Sequence, residues 1–390
     1  MKPDTLVTHA GLDPQANHGI VNPPVYHCST VLFPDVATVL ETRKDRHSGE
    51  FREVTYGREG TLLTRAFEKA VASLEGAEQA VTLPCGMGAI ATTLLAFLEA
   101  GDHLLMLDAV YGPARDFAEN GLRKLGIEVE FYDPLVGAGI AQLFRKNTKV
   151  VYMESPCSLT FEVQDVPAIV AAAKQRGIRS VMDNTWASPL HFNAIDHGVD
   201  VSIHAATKYI SGHSDLMLGV AITTAEVDVA VRKTASRFGY CAGPDDVYAA
   251  LRGLRTLGVR MRAHQENALQ IARWLQRRPE VDRVLYPALP EDPGHALWKR
   301  DFRGASGLLG VVLKPRFSEQ DAARMLDALG LIGLGYSWGG FESLAVPTYP
   351  QQLRSATRWS GGPSFRLHVG LEDLADLTAD LEQALAQLPR

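Results

Sequence analysis

The chain has 390 residues, 46% of them apolar and 22% charged, which is ordinary for a globular protein and long enough for two or three domains. A net charge of −6 with no long basic run argues against nucleic acid as a partner. The amino terminus lacks the apolar core of a signal peptide, the longest mostly apolar run (86–98) is too short to span a bilayer, and the four cysteines form no CxxC pair. We therefore expect a cytoplasmic protein with reduced thiols and no membrane partner.

Residues 1–60 show little hydrophobic periodicity and contain prolines and polar runs, so we expect an extended arm rather than part of a core. The arm ends in TYGREG, where Tyr56 and Arg58 stand two positions apart. In an extended segment both side chains would point the same way. Taken by itself, this pattern is typical of a solvated surface pair.

An alternation of strands and helices begins after residue 60. Seven strand-like runs occur at residues 80–84, 103–108, 127–133, 149–155, 180–184, 201–205 and 219–224. Helical patterns between several of them predict βαβ units and a large, seven-stranded, mainly parallel sheet in residues 61–255. A long helix (245–277) then leads into a smaller C-terminal α/β domain (256–390), with strands near 281–286, 307–313 and 366–369 and an amphipathic terminal helix.

The carboxyl ends of these strands carry the chemistry. Asp183 ends one strand, and Lys208 follows the end of the next, after small residues that let the chain fold closely around its amine. Such strand ends meet at one edge of the sheet, where open α/β folds bind ligands. The turn Cys85-Gly86-Met87 opens a helix, whose unpaired N–H groups and positive dipole end favour an anion. Read separately, Lys208 is also typical of a solvated loop lysine and Asp183 of a helix N-cap.

Two other kinds of site have partial support. Residues 86–91 satisfy the dinucleotide pattern G-x-G-x-x-G/A, with Asp108 about twenty residues further on, which would make the chain an NAD-dependent oxidoreductase. That unit begins some eighty residues into the chain, however, and it leaves Asp183 and Lys208 without a role. A metal site built on His204, His213 and Asp215 lacks any recognised ligand spacing, so we expect no metal.

A third interpretation uses all three features of this edge. Pyridoxal phosphate needs an anion site for its phosphate, an acid at its pyridine nitrogen and a lysine that forms an imine with its aldehyde. The glycine turn, Asp183 and Lys208 offer these three groups in one place.

With these residues assembled, the chain resembles the pyridoxal-phosphate enzymes of cysteine and methionine metabolism over almost its full length. The resemblance lies in the motifs THAG (8–11), TYGREGT (55–61), CGMGA (85–89), MESPCS (153–158), MDNTWASP (182–189) and ATKYISGHSD (206–215). The tryptophan in YSWGGFESL (336–344) makes it most similar to the members that act at Cβ, the cystathionine β-lyases. Members that act at Cγ usually have another residue there.

The resemblance implies an aspartate-aminotransferase-like fold (fold type I) with pyridoxal 5'-phosphate as cofactor. It also implies C–S β-elimination of L-cystathionine to homocysteine, pyruvate and ammonia, within transsulfuration and methionine biosynthesis. Cystine or cysteine are further possible substrates, and cystathionine γ-lyase, a γ-synthase or methionine γ-lyase are the alternatives. The implied assembly is a homotetramer built as a dimer of dimers.

The resemblance also assigns roles by position. Lys208 would hold the cofactor and move protons, Asp183 would face the pyridine nitrogen, and Tyr111 would stack on the ring, contact the substrate and assist catalysis. The remaining cofactor contacts would be made to its phosphate. They would come from Gly86, Met87, Ala205, Thr207 and, across a subunit boundary, Tyr56 and Arg58. Serine is common where this chain has Ala205, so only backbone could serve there. Arg366 would bind the substrate carboxylate, with Ser337 and Trp338 lining the substrate side.

Overall fold

The computed structural model describes residues 1–48 and 54–390, so residues 49–53 of the predicted arm lie outside the described part. Two β-sheets organise the described residues. The large sheet consists of β1 (Gln79–Leu83), β2 (His103–Leu107), β3 (Glu128–Tyr132), β4 (Thr148–Glu154), β5 (Arg179–Asp183), β6 (Val201–Ala205) and β7 (Gly219–Thr223).

The seven predicted strands are confirmed, and they lie in the order β1-β7-β6-β5-β4-β2-β3. β2 runs parallel to β3 and β4, and β5 runs parallel to β4 and β6. β7 runs antiparallel to both β6 and β1, so the sheet is mainly parallel, as expected. Every residue of β2 and β7 is buried, which is typical of a sheet covered on both faces.

Helices connect and flank these strands. They are α1 (Pro3–His9), α2 (Val36–Ser48), α3 (Leu62–Leu74), α4 (Gly86–Phe97), α5 (Gly112–Asp116), α6 (Val166–Lys174), α7 (Ser188–His191), α8 (Ala225–Phe238), α9 (Pro244–Gln276), α10 (His295–Asp301), α11 (Glu319–Asp327) and α12 (Leu374–Leu385). Several begin at side chains that accept a hydrogen bond from an otherwise unpaired N–H group. Asp165 caps α6 through Ala168 N, and Asp373 caps α12 through Ala375 N.

The second sheet follows α9. It consists of β8 (Val281–Leu285), β9 (Leu308–Leu313), β10 (Gly333–Leu334), β11 (Leu344–Thr348) and β12 (Ser364–His368), in the order β10-β11-β12-β9-β8. β12 is the central strand and runs antiparallel to β9 and β11. The sequence predicted β8, β9 and β12 but missed the short β10 and the proline-containing β11.

The predicted arm is not extended throughout, since α1 and α2 both lie within residues 1–60. The helix α9 also runs without interruption through the predicted boundary at residue 255, and the domain limits stay predictions. Within residues 1–48 and 54–390, no helix combines the length and hydropathy needed to cross a bilayer.

Candidate active site

Three neighbouring strands of the large sheet end together. Their last residues are Glu154 on β4, Asp183 on β5 and Ala205 on β6. Glu154 and Asp183 are direct partners in the parallel register. The chain turns tightly after β6, where Lys208 N donates to Ala205 O at 2.9 Å. The fold therefore brings Asp183 and Lys208 to one edge, as the strand pattern predicts.

Lys208 is a partly buried lysine with a precisely placed amine. Its Nζ donates to Ser337 Oγ at 2.5 Å and lies 5.5 Å from the centroid of the Trp338 ring. Burial, together with the positive charge of Arg366, lowers the pKa of Lys208 to about 8, although Asp183 acts in the opposite direction. A substantial fraction of the amine is therefore neutral near physiological pH and available as a base or nucleophile.

Asp183 is held by the residue two positions further along. Thr185 donates to Asp183 Oδ1 through both its hydroxyl, at 2.5 Å, and its backbone N–H, at 3.0 Å. Burial raises the pKa of Asp183, whereas the two Thr185 hydrogen bonds and the nearby His204 and Lys208 lower it. Both bonds go to Oδ1, so Oδ2 remains for another donor.

Glu154 is a site residue to which the sequence pattern assigned no role. Its Oε2 accepts a hydrogen bond from Tyr111 N at 2.8 Å, which fixes the start of α5 against the end of β4. Burial, reinforced by the negative charge of Asp183, raises the pKa of Glu154 well above its usual range. Burial and the same two carboxyls also raise the pKa of Tyr111, whose side chain is 42% exposed. The only sequence signal for Glu154 was its position at a strand end.

The amino terminus of α4 lies beside the end of β6. Cys85 caps the helix by accepting a hydrogen bond from Gly88 N at 3.3 Å. A side chain at Gly86 would place its Cβ only 2.7 Å from the Cβ of Ala205, so only glycine allows this approach. The first N–H groups of α4, at Gly86 and Met87, have no carbonyl partner within the helix, which suits an anion, and their binding of the phosphate stays a prediction.

The two other predicted phosphate contacts differ from each other. Thr207 Oγ1 accepts from Leu218 N at 2.9 Å and donates to Leu218 O over 3.2 Å, so its hydrogen can turn to an anion. Ala205 N, in contrast, already donates to Thr185 Oγ1 at 2.9 Å. The backbone N–H of Ala205 is therefore engaged with Thr185, and the prediction that it binds phosphate is not supported by the hydrogen bonds.

Arg366 and the loop after β10 bring residues of the small sheet to the Lys208 amine. Arg366 lies on the central strand β12 and donates from Nη2 to Ser337 O at 2.9 Å. Burial lowers the pKa of Arg366 to about 10, a value at which the guanidinium still carries its charge at neutral pH. Ser337 has a positive φ of 80°, an uncommon conformation that places its hydroxyl at Lys208.

A second side chain of β12 holds the same loop. The buried His368 lies two positions after Arg366 and accepts a hydrogen bond from Gly339 N at 3.1 Å. Burial lowers the pKa of His368 to about 3, so the ring is neutral and able to accept this bond. Ser337, Trp338 and Arg366 are thus brought together with Lys208, as predicted, although the sequence did not identify His368.

Tyr56 and Arg58 are placed elsewhere. Arg58 donates to Ser236 O at 2.9 Å and forms an ion pair with Glu59 at 3.1 Å. The Tyr56 side chain is 41% exposed, and both residues border a surface cleft with Cys28 and other residues of this face. Among the contacts of the described residues, neither side chain meets Lys208.

The residues considered for the two alternative sites make other contacts. Asp108 is fully buried and accepts hydrogen bonds from Arg115 and from the segment 355–357, so it has no free oxygen for a dinucleotide ribose. His204 Nε2 donates to Glu75 Oε1 at 2.6 Å, deep in the core. Within the described residues, no group of three or more His, Cys, Asp or Glu side chains is arranged to hold a metal ion.

The family model for Cys/Met metabolism PLP-dependent enzymes matches residues 4–386. The chain belongs to this family. It is 43% identical to cystathionine beta-lyase MetC of Escherichia coli, over 99% of both chains, and 40% identical to an L-alanine/L-glutamate racemase of Wolbachia pipientis, over 100% of this chain and 98% of the other. The crystal structure of metB from Corynebacterium glutamicum superposes with a TM-score of 0.89 at 31% identity and covers 99% of this chain and 98% of that one.

The cofactor of this family is pyridoxal phosphate, and the residues at the sheet edge fit it. Oδ2 of Asp183 is left without a Thr185 bond and suits a protonated ring nitrogen. The amine of Lys208, with its lowered pKa, suits an aldehyde. Gly86 lets the start of α4 pack directly against Ala205, where a Cβ would be too close, and the N–H groups at this helix end suit the phosphate. Membership of the family also removes the NAD-dependent interpretation.

Proposed function

We propose that this enzyme cleaves the Cβ–S bond of L-cystathionine and releases homocysteine, pyruvate and ammonia. The observation that carries the proposal is the placement of Trp338 at the Lys208 amine, within the motif typical of members that act at Cβ. The 43% identity to a cystathionine beta-lyase over the full chain supports it. The same site would accept cystine or cysteine, which share the amino-acid end and the β-sulfur.

Substrate binding is the role we assign to Arg366. Its fixed, planar guanidinium is suited to grip a carboxylate with two parallel hydrogen bonds. The hydrogen bond from Nη2 to Ser337 O holds the guanidinium in place. Bound there, the α-carboxylate would direct Cα towards the Lys208 amine, and the sulfur side chain would extend along Ser337 and Trp338.

Proton transfer is the role of Lys208. Its amine, neutral in part because of its lowered pKa, takes the α-proton, and the Ser337 hydroxyl keeps the amine pointed at Cα. General acid–base help of this kind contributes roughly 100- to 10,000-fold in rate. When the Cβ–S bond breaks, Lys208 or Tyr111 delivers a proton to the sulfur, and homocysteine leaves. The remaining three-carbon fragment keeps its carboxylate and amino nitrogen, and water hydrolyses it to pyruvate and ammonia.

Asp183, at the end of β5, and Tyr111, directly before α5, support this step. Pyridoxal phosphate, when bound, supplies a sink for the electrons left on Cα. Asp183 keeps a negative charge opposite its ring nitrogen, and Thr185 holds that carboxylate. Tyr111 would lie against the ring face, and the hydrogen bond from its own N–H to Glu154 positions it.

Product analysis separates the proposed activity from the γ-acting alternatives. We would incubate the purified enzyme and added cofactor with L-cystathionine and assay both oxo acids. Pyruvate with homocysteine supports cleavage at Cβ, whereas 2-oxobutyrate with cysteine would move the enzyme to the γ class with the same cofactor and lysine.

Racemisation of a small amino acid is a second candidate function. It is favoured by the 40% identity to an L-alanine/L-glutamate racemase and by Lys208, whose partly neutral amine can exchange a proton with Cα. Formation of D-alanine from L-alanine, measured by chiral chromatography beside the cystathionine assay, would support it. Equal specificity constants for the two reactions would contradict cystathionine cleavage as the main activity.

We further propose that the active enzyme is a two-fold dimer, assembled in pairs into a homotetramer, and that Tyr56 and Arg58 reach the phosphate site of a neighbouring subunit. Arg58 contacts Ser236, and both residues line a surface cleft that does not include Lys208, which supports this role. The residues before them expose large apolar side chains, including Leu32 at 89% and Val36 at 73%, which is costly unless a partner covers them. That the enzyme works in the cytoplasm stays a prediction.

A further inference from the structure

Thr185 occupies the centre of a short hydrogen-bonded chain behind Asp183. Its Oγ1 lies 2.5 Å from Asp183 Oδ1 and 2.9 Å from the backbone nitrogen of Ala205. The side chain is almost fully enclosed, with 8% of the residue exposed. These two hydrogen bonds thus link the end of β5 to the end of β6 at the proposed cofactor site.

The chemistry of these groups fixes which of them donates and which accepts each hydrogen bond. A backbone N–H can only donate, so Ala205 N–H occupies a lone pair of the Thr185 hydroxyl. The single hydroxyl hydrogen is then left for the carboxylate, and it adds to the bond from Thr185 N–H. Asp183 Oδ1 therefore receives two donors, and the carboxylate cannot rotate without breaking both.

The need for such an arrangement comes from the neighbouring carboxyl. Glu154 is the register partner of Asp183 on β4, and burial raises the pKa of both groups. The other charged or titratable groups that face Asp183 are His204 and Lys208 around β6, Tyr111 near α5 and Tyr152 on β4. Two buried carboxyls this close do not both ionise without help. Glu154 receives one hydrogen bond, from Tyr111 N, whereas Asp183 receives two from Thr185.

We propose that Thr185 is a positioning residue that fixes the Asp183 carboxylate and keeps the negative charge of the buried pair on Asp183 rather than on Glu154. Ala205 begins the turn into Lys208 and also orients Thr185. This one residue of β6 therefore helps to place both Lys208 and Asp183. The proposal rests on pyridoxal phosphate being bound at Asp183. It is independent of which amino acid the enzyme cleaves.

The test compares Thr185→Val, which removes the hydroxyl but keeps the branched shape, with Thr185→Ser, which keeps the hydroxyl. Full-length holoenzymes would be dialysed against a series of pyridoxal phosphate concentrations to obtain Kd. Because a hydrogen bond to a charged group is lost, we expect Kd to rise about 10-fold or more in the Val variant and to stay within about 3-fold of wild type in the Ser variant. Asp183→Asn serves as the positive control.

A second readout reports the ring nitrogen itself. With cofactor labelled at that nitrogen with 15N, the NMR shift should report a protonated ring at neutral pH in wild type and Thr185→Ser, and a loss of this proton at lower pH in Thr185→Val. Equal effects of Val and Ser would assign Thr185 to packing alone, and a Val variant with wild-type Kd and shift would overturn the proposal. If Thr185→Val does not fold, Thr185→Ala gives the same comparison. Failure to cleave cystathionine would leave both readouts intact.

Discussion

The amine of Lys208 and the hydroxyl of Ser337 lie 2.5 Å apart, although 129 positions separate the two residues in the sequence. Lys208 belongs to the turn after β6 of the large sheet, and Ser337 to a loop held by the central strand of the small sheet. This contact joins the proton-transfer group to the substrate side of the site, so several predictions concern the groups that maintain it.

Replacement of Lys208 by alanine should remove the base and lower kcat by roughly 100- to 10,000-fold or more. Circular dichroism of the variant should match that of wild type, since the side chain is only partly buried. Lys208→Arg is the matched control, because it keeps a positive charge but cannot act as a base near neutral pH. Turnover by Lys208→Ala close to that of wild type would exclude this lysine as the catalytic group.

The pH profile should report the lowered pKa of Lys208. The base must be neutral, so kcat is expected to rise with pH through about 8. Since the charge of Arg366 contributes to lowering this pKa, Arg366→Gln should move the ascending limb to higher pH. It should also raise KM, because the proposed carboxylate contact is lost. An ascending limb that stays in place in the variant would mean that another group controls it.

Gly339 is expected to tolerate no side chain. Its φ is +86°, and a Cβ would lie 3.0 Å from the backbone of Lys208 and Tyr209. Gly339→Ala should therefore lower both Tm and kcat/KM by displacing the loop, with a conformational cost of roughly 1–3 kcal/mol. Gly19→Ala is the matched control, since Gly19 has a φ of +83° and nothing within 4 Å of the added Cβ. Equal losses in both variants would show that crowding at Lys208 has no effect.

Asp108 should contribute to stability rather than to catalysis. Its hydrogen bonds lower its pKa to about 2 against the opposing effect of burial. Since the folded pKa lies below the usual value of 3.8, this stabilisation is complete above pH 4 and is lost as the pH falls through about 2. Asp108→Asn should reduce the free energy of unfolding at pH 7 by about 2 kcal/mol or more, measured in urea, and flatten its pH dependence between pH 4 and 2. An unchanged value at pH 7 would exclude this role.

If each active site combines residues of two subunits, two variants that are each impaired should complement one another in a mixed dimer. Lys208→Ala and Arg58→Ala should each be impaired alone, but a mixed dimer restores one site with both native residues. Coexpression of the two variants should then recover roughly a quarter of the wild-type activity in random assembly. Two Lys208→Ala chains with different tags provide the control and should recover none. If the mixture is no more active than its components, Arg58 serves its own subunit or none.

The sequence predicted the parts of this site that follow from local pattern. The seven strands, Asp183 and the turn to Lys208 could be identified because each depends on a short run of residues. Glu154 could not be assigned, because its importance comes from its register with Asp183 and from the Tyr111 N–H, two contacts between separate elements. The hydrogen bond of Ala205 to Thr185 is likewise invisible in a motif that suggests only a phosphate contact.

Contacts between the small sheet and a distant loop of the sequence could not be predicted either. Arg366 was assigned through the family resemblance, but nothing in the residues around it indicated that Arg366 and His368 both hold the loop 337–339. Helix α2 was missed for a different reason: its sequence, VATVLETRKDRHS, is mostly polar and lacks a continuous apolar face.

The most direct test of this account is a time course of L-cystathionine followed by 1H NMR, with wild-type holoenzyme and Lys208→Ala measured side by side. We expect homocysteine and pyruvate in equal amounts from wild type, together with ammonia in a parallel assay, and product formation at least about 100-fold slower in the variant. Formation of 2-oxobutyrate and cysteine, or comparable pyruvate from both proteins, would contradict it.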